Sequence, residues 1–132
     1  MDIGIFTAAV ADFAPHPFGK DKFKKKDAGE EFTLRFSKNA DILRTLATSR
    51  KEHQKVVGFA AETQNLEQAV LDKLRDKKAD MIVGNYVNEP GAGFGSPTNT
   101  VYIADTKGRR ETLSVMPKTD LAWRILDCLL PL

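Results

Sequence analysis

Lys73 and Lys77 stand four positions apart. On a helix that spacing places both ammonium groups on one face. Two such point charges can hold the oxygens of a phosphate chain. The plainer alternative is a solvated helix face. A second basic cluster, Lys20-Asp21-Lys22-Phe23-Lys24-Lys25-Lys26, could clamp an anion or simply be solvated. Such a run is more often merely solvated; Phe23 in its middle tilts only slightly toward the first reading, because an apolar ring among lysines needs a surface to pack on. Gly91-Ala92-Gly93-Phe94-Gly95 suggests a dinucleotide loop. Its spacing is not G-x-G-x-x-G, and a strand follows it instead of a helix, so the phosphate-on-helix mechanism fails. It reads as a flexible loop near a site. His16 and His53 have no acidic or cysteine partner in sequence, and Cys128 belongs to the apolar face of the last helix, hence to the core. No Ser/His/Asp arrangement or metal-ligand spacing is present as a motif.

These residues need elements to position them. Asp2 to Val10 opens as a strand apolar on both faces, which predicts a buried parallel strand. Ala11 to Pro17 reads as a Pro-rich loop, residues 19–31 as an exposed arm, and Glu31 to Phe36 as an edge or hairpin strand. Asp41 caps a helix to about Lys51, with Ile42, Leu43, Leu46 and Ala47 on one face. Lys55 to Ala61 is a second buried strand. Thr63 or Asn65 caps the helix that carries Lys73 and Lys77, with Leu66, Ala69, Val70 and Leu74 inward. Asp80 to Asn85 is a third buried strand and residues 88–99 form a Gly/Pro/Asn-rich loop. Val101-Tyr102-Ile103 and Thr112 to Val115 flank a turn at Lys107-Gly108 and predict a β-hairpin. A last helix runs from about Thr119 to Leu130. Strand, helix, strand, helix, strand predicts βαβ units, a parallel sheet and an α/β fold. Ligands on such sheets sit at the carboxyl ends of the strands.

Composition narrows the class. The 132 residues suit one domain. Hydrophobic residues at 42% and charged residues at 29% suffice for a core and exclude disordered, collagen-like and low-complexity classes. No apolar run approaches the ~20 residues that cross a bilayer, and Met1 to Phe6 lacks the pattern of a secretory signal. One cysteine excludes an internal disulfide framework and a cysteine-based zinc site. A net charge of +2 from 20 basic and 18 acidic residues does not by itself imply nucleic acid. The expectation is a cytoplasmic protein with no membrane or nucleic-acid partner.

Several segments in register resemble one family. They are Ala8-Ala9-Val10-Ala11-Asp12-Phe13, Lys22-Phe23-Lys24-Lys25, Lys38-Asn39-Ala40-Asp41 and Val57-Gly58-Phe59-Ala60-Ala61-Glu62-Thr63. Asp80 to Asn85, Gly93-Phe94-Gly95-Ser96 with Asn99, and Leu113 to Lys118 complete the set. Together they resemble the carboxyl-terminal part of bacterial phosphopantothenoylcysteine synthetase, which is usually fused behind a flavin-dependent decarboxylase in coenzyme A biosynthesis. The resemblance implies a Rossmann-like three-layer α/β domain with a mostly parallel sheet plus a β-hairpin. It implies CTP-dependent ligation of 4′-phosphopantothenate with cysteine through an acyl-cytidylate, with Mg²⁺. FMN would belong only to a partner decarboxylase domain.

Carried over residue by residue, Lys22 looks like the catalytic arm lysine, on an arm spanning 19–36 that reaches across a homodimer. Ala8, Ala9, Asp12, Lys38, Asn39, Phe59, Lys73 and Lys77 look like nucleotide-binding residues. No metal ligand is assigned. Three positions depart from the family: Ala14 stands for Arg, Ala40 for Pro, and Tyr86 for the Asp after the third strand's Asn. The family's Gly-rich first strand and Asn-x-Ser-Ser-Gly segment have no counterpart here. That predicts the second half of a domain, carrying the nucleotide half of the site and exposing an apolar sheet edge unless a dimer mate or partner chain covers it. A non-catalytic nucleotide-binding or dimerisation module is the alternative function. ATP in place of CTP is a third reading, against which the Lys-x-Lys-Lys arm speaks.

Overall fold

The structure, a computed structural model, describes residues 2–16, 31–87 and 95–132. The chain divides into two compact units, Met1–Ala8 with Ile42–Leu132, and Ala9–Asp41.

The larger unit is an α/β sandwich. Its strands are β1 (Ile3–Phe6), β4 (Lys55–Glu62), β5 (Met81–Tyr86), β6 (Thr98–Asp105) and β7 (Arg110–Pro117), in the order β1-β4-β5-β6-β7. Helices α1 (Ile42–Ser49) and α2 (Leu66–Lys77) follow β1 and β4, and α3 (Lys118–Leu129) follows β7. β1, β4 and β5 run parallel, while β6 and β7 continue the sheet antiparallel. The expected hairpin is β6–β7. Asp105 holds its turn: the buried carboxylate accepts the backbone N–H groups of Lys107 and Arg109, each at 2.9 Å. Gly108 supplies the positive φ of 99° that a side chain would resist.

The sheet separates two apolar layers. Side chains alternate across a strand, so Val57, Met81, Val83, Val101, Ile103 and Leu113 face α3, packing on Leu121, Ile125, Cys128 and Leu129. Ala60, Ile82, Tyr102 and Ala104 face the other way, onto Leu66, Val70 and Leu74 of α2. This is the expected three-layer arrangement. Glycines let the helices sit close. A Cβ on Gly84 would stand 2.3 Å from Val70 Cγ2 and 2.8 Å from Leu66 Cδ1. One on Gly58 would stand 2.5 Å from Leu43 Cδ2.

At the amino ends of the parallel strands, Asp80 closes the structure. Its Oδ2 accepts Val56 N–H at 2.8 Å and its Oδ1 accepts Arg50 Nη2 at 3.0 Å. Arg50 also donates to the carbonyls of Lys78, at 2.9 Å, and Ala47. A buried carboxylate thus meets both a backbone donor and a charge, the condition for tolerating burial.

The described residues of the smaller unit form a two-stranded antiparallel ribbon, β2 (Phe13–Pro15) against β3 (Phe36–Lys38). Asn39 secures its end. Its backbone N–H donates to Asp12 O at 2.8 Å and its side-chain amide to Ala11 O at 2.7 Å.

Several expectations are corrected. β1 is an edge strand, not a buried one. Gly4 is buried, but Ile3 and Ile5 remain 44% and 43% exposed on the face toward α3, because among the described residues β1 pairs only with β4. The strand expected over Glu31 to Phe36 lies at Phe36–Lys38, and its partner comes from the stretch expected to be a Pro-rich loop. Pairing with β2, not alternation of residue types, sets that register. On α1 only Ala47 of the expected face is buried; Leu43 is partly buried, and Ile42 and Leu46 are exposed. Ala69 is half-buried, at the rim of the α2 interface. Asn65 does precede α2, yet in a left-handed conformation, φ 51°, with no side-chain cap bond. The arm residues 19–30 lie outside the described residues.

Three outcomes follow from this packing. Gly84→Ala should cost about 1–3 kcal/mol by overpacking Val70 and Leu66, read as a lower denaturant midpoint at unchanged slope. Asp80→Ala should cost about 3 kcal/mol, since it leaves Val56 N–H and the Arg50 guanidinium without their acceptor. A stability equal to wild type would show that water replaces the carboxylate. Burial pushes the Cys128 thiol above its ordinary range, against a smaller opposing pull from Arg109. Below that range both states hold the proton and the term is silent. Above about pH 8.5 the unfolded chain ionises while the folded one does not, so stability must fall as pH rises. Chemical unfolding between pH 8 and 10 should show that slope, and Cys128→Ala should remove it.

Candidate functional site

The carboxyl ends of β1, β4 and β5 form one rim, as the parallel register requires. Glu62 is the last residue of β4. Its neighbour in register is Tyr86, and its carbonyl accepts Val87 N–H at 3.1 Å. Two positions from Ala60, its side chain leaves the sheet on the α2 face. There its Oε1 meets Lys73 Nζ at 2.7 Å, with both side chains part-buried. Val70 and Leu74, buried on either side of Lys73, fix that stretch of α2 against the sheet.

Lys77 lies one turn beyond Lys73. A βαβ crossover helix runs opposite to its strands, so Lys77 is a turn further from the carboxyl rim. It does share the face with Lys73 that the spacing predicts. Phe59 is elsewhere. It packs partly buried against the α3-side cluster, and three positions from Glu62 it leaves the opposite face of β4. The structure therefore brings Lys73 to the rim, leaves Lys77 below it, and does not put Phe59 beside either. Ala8 is exposed, two residues past the end of β1.

In the ribbon unit, Ala9, Asp12 and Lys38 are exposed. Asn39 is different. Its amide N–H is used internally on Ala11 O, so it shapes the Ala9–Asp12 backbone first. Lys22, with Phe23 and Lys24 to Lys26, lies outside the described residues, as do Asn88 and residues 91–94.

Glu62 is the residue that reading the sequence left without a role, although it stood within a quoted motif. Its signal was available: an acid at the end of a strand, eleven positions before a lysine on the following helix. A shallow cleft lined by Arg50, Lys51, Lys55, Lys78 and Asp80 lies at the amino ends of the strands, away from this rim. Its central charges are already paired in the Arg50–Asp80 bridge. Among the described residues no group of three or more His, Cys, Asp and Glu could hold a metal ion. No described helix is long and apolar enough to cross a membrane.

Comparison with known proteins now places the chain. The coenzyme A biosynthesis bifunctional protein CoaBC of Bacillus subtilis is 46% identical over 126 residues, 96% of this chain and 30% of that protein. A cysteine/cysteine sulfinic acid decarboxylase from an unknown prokaryote is 36% identical over 131 residues, 99% of this chain and 36% of that protein. Among solved structures, the C-terminal domain of a CoaBC superposes with a TM-score of 0.69 at 32% identity, covering 97% of this chain and 53% of that one. The chain thus spans about a third of the length of these curated relatives. Residues 1–132, the whole sequence, match the DNA/pantothenate metabolism flavoprotein C-terminal domain, and the chain belongs to that family.

Proposed function

We propose that the chain carries the nucleotide half of a CTP-dependent ligase that joins 4′-phosphopantothenate to cysteine in coenzyme A biosynthesis. The observation that supports this most is Lys73, held at the carboxyl rim of the parallel strands in a chain matching its family over its full length. In this reading the phosphopantothenate carboxylate attacks the α-phosphorus of CTP, forming an acyl-cytidylate as pyrophosphate leaves. The cysteine amine then attacks the acyl carbon, forming the amide as CMP leaves and the amine proton passes to solvent. Both steps gather negative charge on phosphate oxygens. Fixed cations beside a partly dry rim stabilise such charge more than water would.

Within this proposal Lys73 and Lys77 hold the triphosphate and Phe59 contacts the nucleotide. Ala8 lets the ligand approach the backbone. Ala9, Asp12, Lys38 and Asn39 are nucleotide contacts of the ribbon unit. Lys22 is the arm lysine. Mg²⁺ enters as the nucleotide's own counter-ion, and no described residue is assigned to it. FMN belongs to a decarboxylase partner domain, a homodimer is the working assembly, and the location is the cytoplasm. The bifunctional names of the relatives support a decarboxylase partner.

Calorimetric titration with MgCTP, and MgATP for comparison, tests the reading. Micromolar CTP binding is expected, about −8 kcal/mol, with ATP weaker. Lys73→Met should weaken CTP about tenfold, the scale of one charge-assisted contact. A folded chain that takes up no CTP would overturn the proposal.

A further inference from the structure

Glu62 and Lys73 form a preassembled pair at the rim, and it raises the question of what an incoming phosphate must displace. The carboxylate stands on the last residue of β4, which β5 holds along one edge, by Tyr86 in register and by the Val87 backbone N–H. The ammonium stands on a helix whose neighbouring residues are buried. Neither partner arrives by chance from a loop. The acid next to Lys73 on the helix, Asp72, is used otherwise: it accepts Gln68 Nε2 at 3.1 Å and Arg75 Nη2 at 2.8 Å. Tyr86, beside Glu62 on the same face, packs its ring into the apolar α2 cluster and adds no charge.

We propose that Glu62 is the counter-ion of Lys73 before a nucleotide binds and competes with the phosphate chain for it. This rests on the reading of Lys73 as a triphosphate contact. An ammonium has three donors and can keep one on Glu62 while phosphate takes the others. The donor that stays on Glu62 is then lost to the phosphate chain. Part of Lys73's attraction is spent before the nucleotide arrives. The same carboxylate recovers the ammonium when pyrophosphate departs, so the cation is paired in both states. Glu62 weakens the hold on triphosphate and pyrophosphate alike, and that eases release of the product.

The test is a double-mutant cycle on the full chain, titrated with MgCTP and with inorganic pyrophosphate. Glu62→Gln keeps the shape and removes the charge. It should tighten both ligands about two- to five-fold, the range for a half-exposed ion pair. Glu62→Asp, which keeps the charge, should stay within about twofold of wild type. In the Lys73→Met background, Glu62→Gln should have no further effect. Separately, Lys73 should react faster with an amine-acetylating reagent in Glu62→Gln than in wild type, read by peptide mass spectrometry without nucleotide. Weaker binding in Glu62→Gln would make Glu62 a positioning residue and overturn the competition. Unchanged binding in Glu62→Gln, with binding lost in Lys73→Met, would overturn this proposal alone. CTP binding indifferent to Lys73→Met would overturn the underlying reading and the proposal with it, while the acetylation rates would still report whether the pair exists.

Discussion

The height of α2 above the sheet is the constraint on which the rest of this structure depends. It is set at Gly84, where Val70 and Leu66 descend onto bare backbone to a distance that a Cβ would forbid. Lys73 is one turn beyond Val70 on the same helix. Raising the helix by the width of a methyl group would lift the lysine from the rim as well as loosen the core. Gly58 does the same for α1 through Leu43. Close packing transmits such displacements because a protein interior has few voids in which to absorb them.

The two ends of the parallel strands are treated differently for a physical reason. At the amino ends Asp80 is nearly inaccessible, and its charge is met by Arg50 and by the Val56 amide. That arrangement is closed and has nothing left to offer a ligand. At the carboxyl ends, the Glu62–Lys73 pair stays part-exposed. Solvent screens it, so parting the two charges costs little compared with breaking a buried pair. A pair that can be opened cheaply suits a rim where ligands come and go.

The core strands and the three helices of the described residues were legible in the sequence. Runs such as Met81-Ile82-Val83 are apolar on both faces, which a half-exposed strand would not be. The hairpin was legible from Lys107-Gly108, since only a turn wants that glycine. What was not legible depended on partners distant in sequence. By pattern alone Ile3 and Ile5 look like core; the resemblance, through its missing front segment, predicts an exposed apolar edge, and the strand order of the described residues puts β1 there. Phe36–Lys38 becomes a strand because Phe13–Pro15 pairs with it, and neither stretch alternates strongly enough to announce that. For the candidate site, lysine spacing correctly placed Lys73 and Lys77 on one helix face. It could not say which of them reaches the rim, because that depends on where α2 starts relative to the end of β4. Asp80 and Asp105 were read past for a related reason: a buried carboxylate is recognised only when its donors are known.

Charge balance links the rim to the proposed chemistry. Lysines one turn apart on a helix repel each other by a few tenths of a kcal/mol, and Lys73 and Lys77, both part-buried, stand at that spacing on α2. A site built only from lysines would be strained when vacant and would hold every polyanion, product included. An acid at the end of β4 relieves the first problem at once, because it stands on the sheet and not on the helix and so does not depend on helix spacing. It limits the second by the same charge. From the strand end the Glu62 side chain reaches Lys73 on α2 while Ala60 and Val70 stay in the apolar layer beside it.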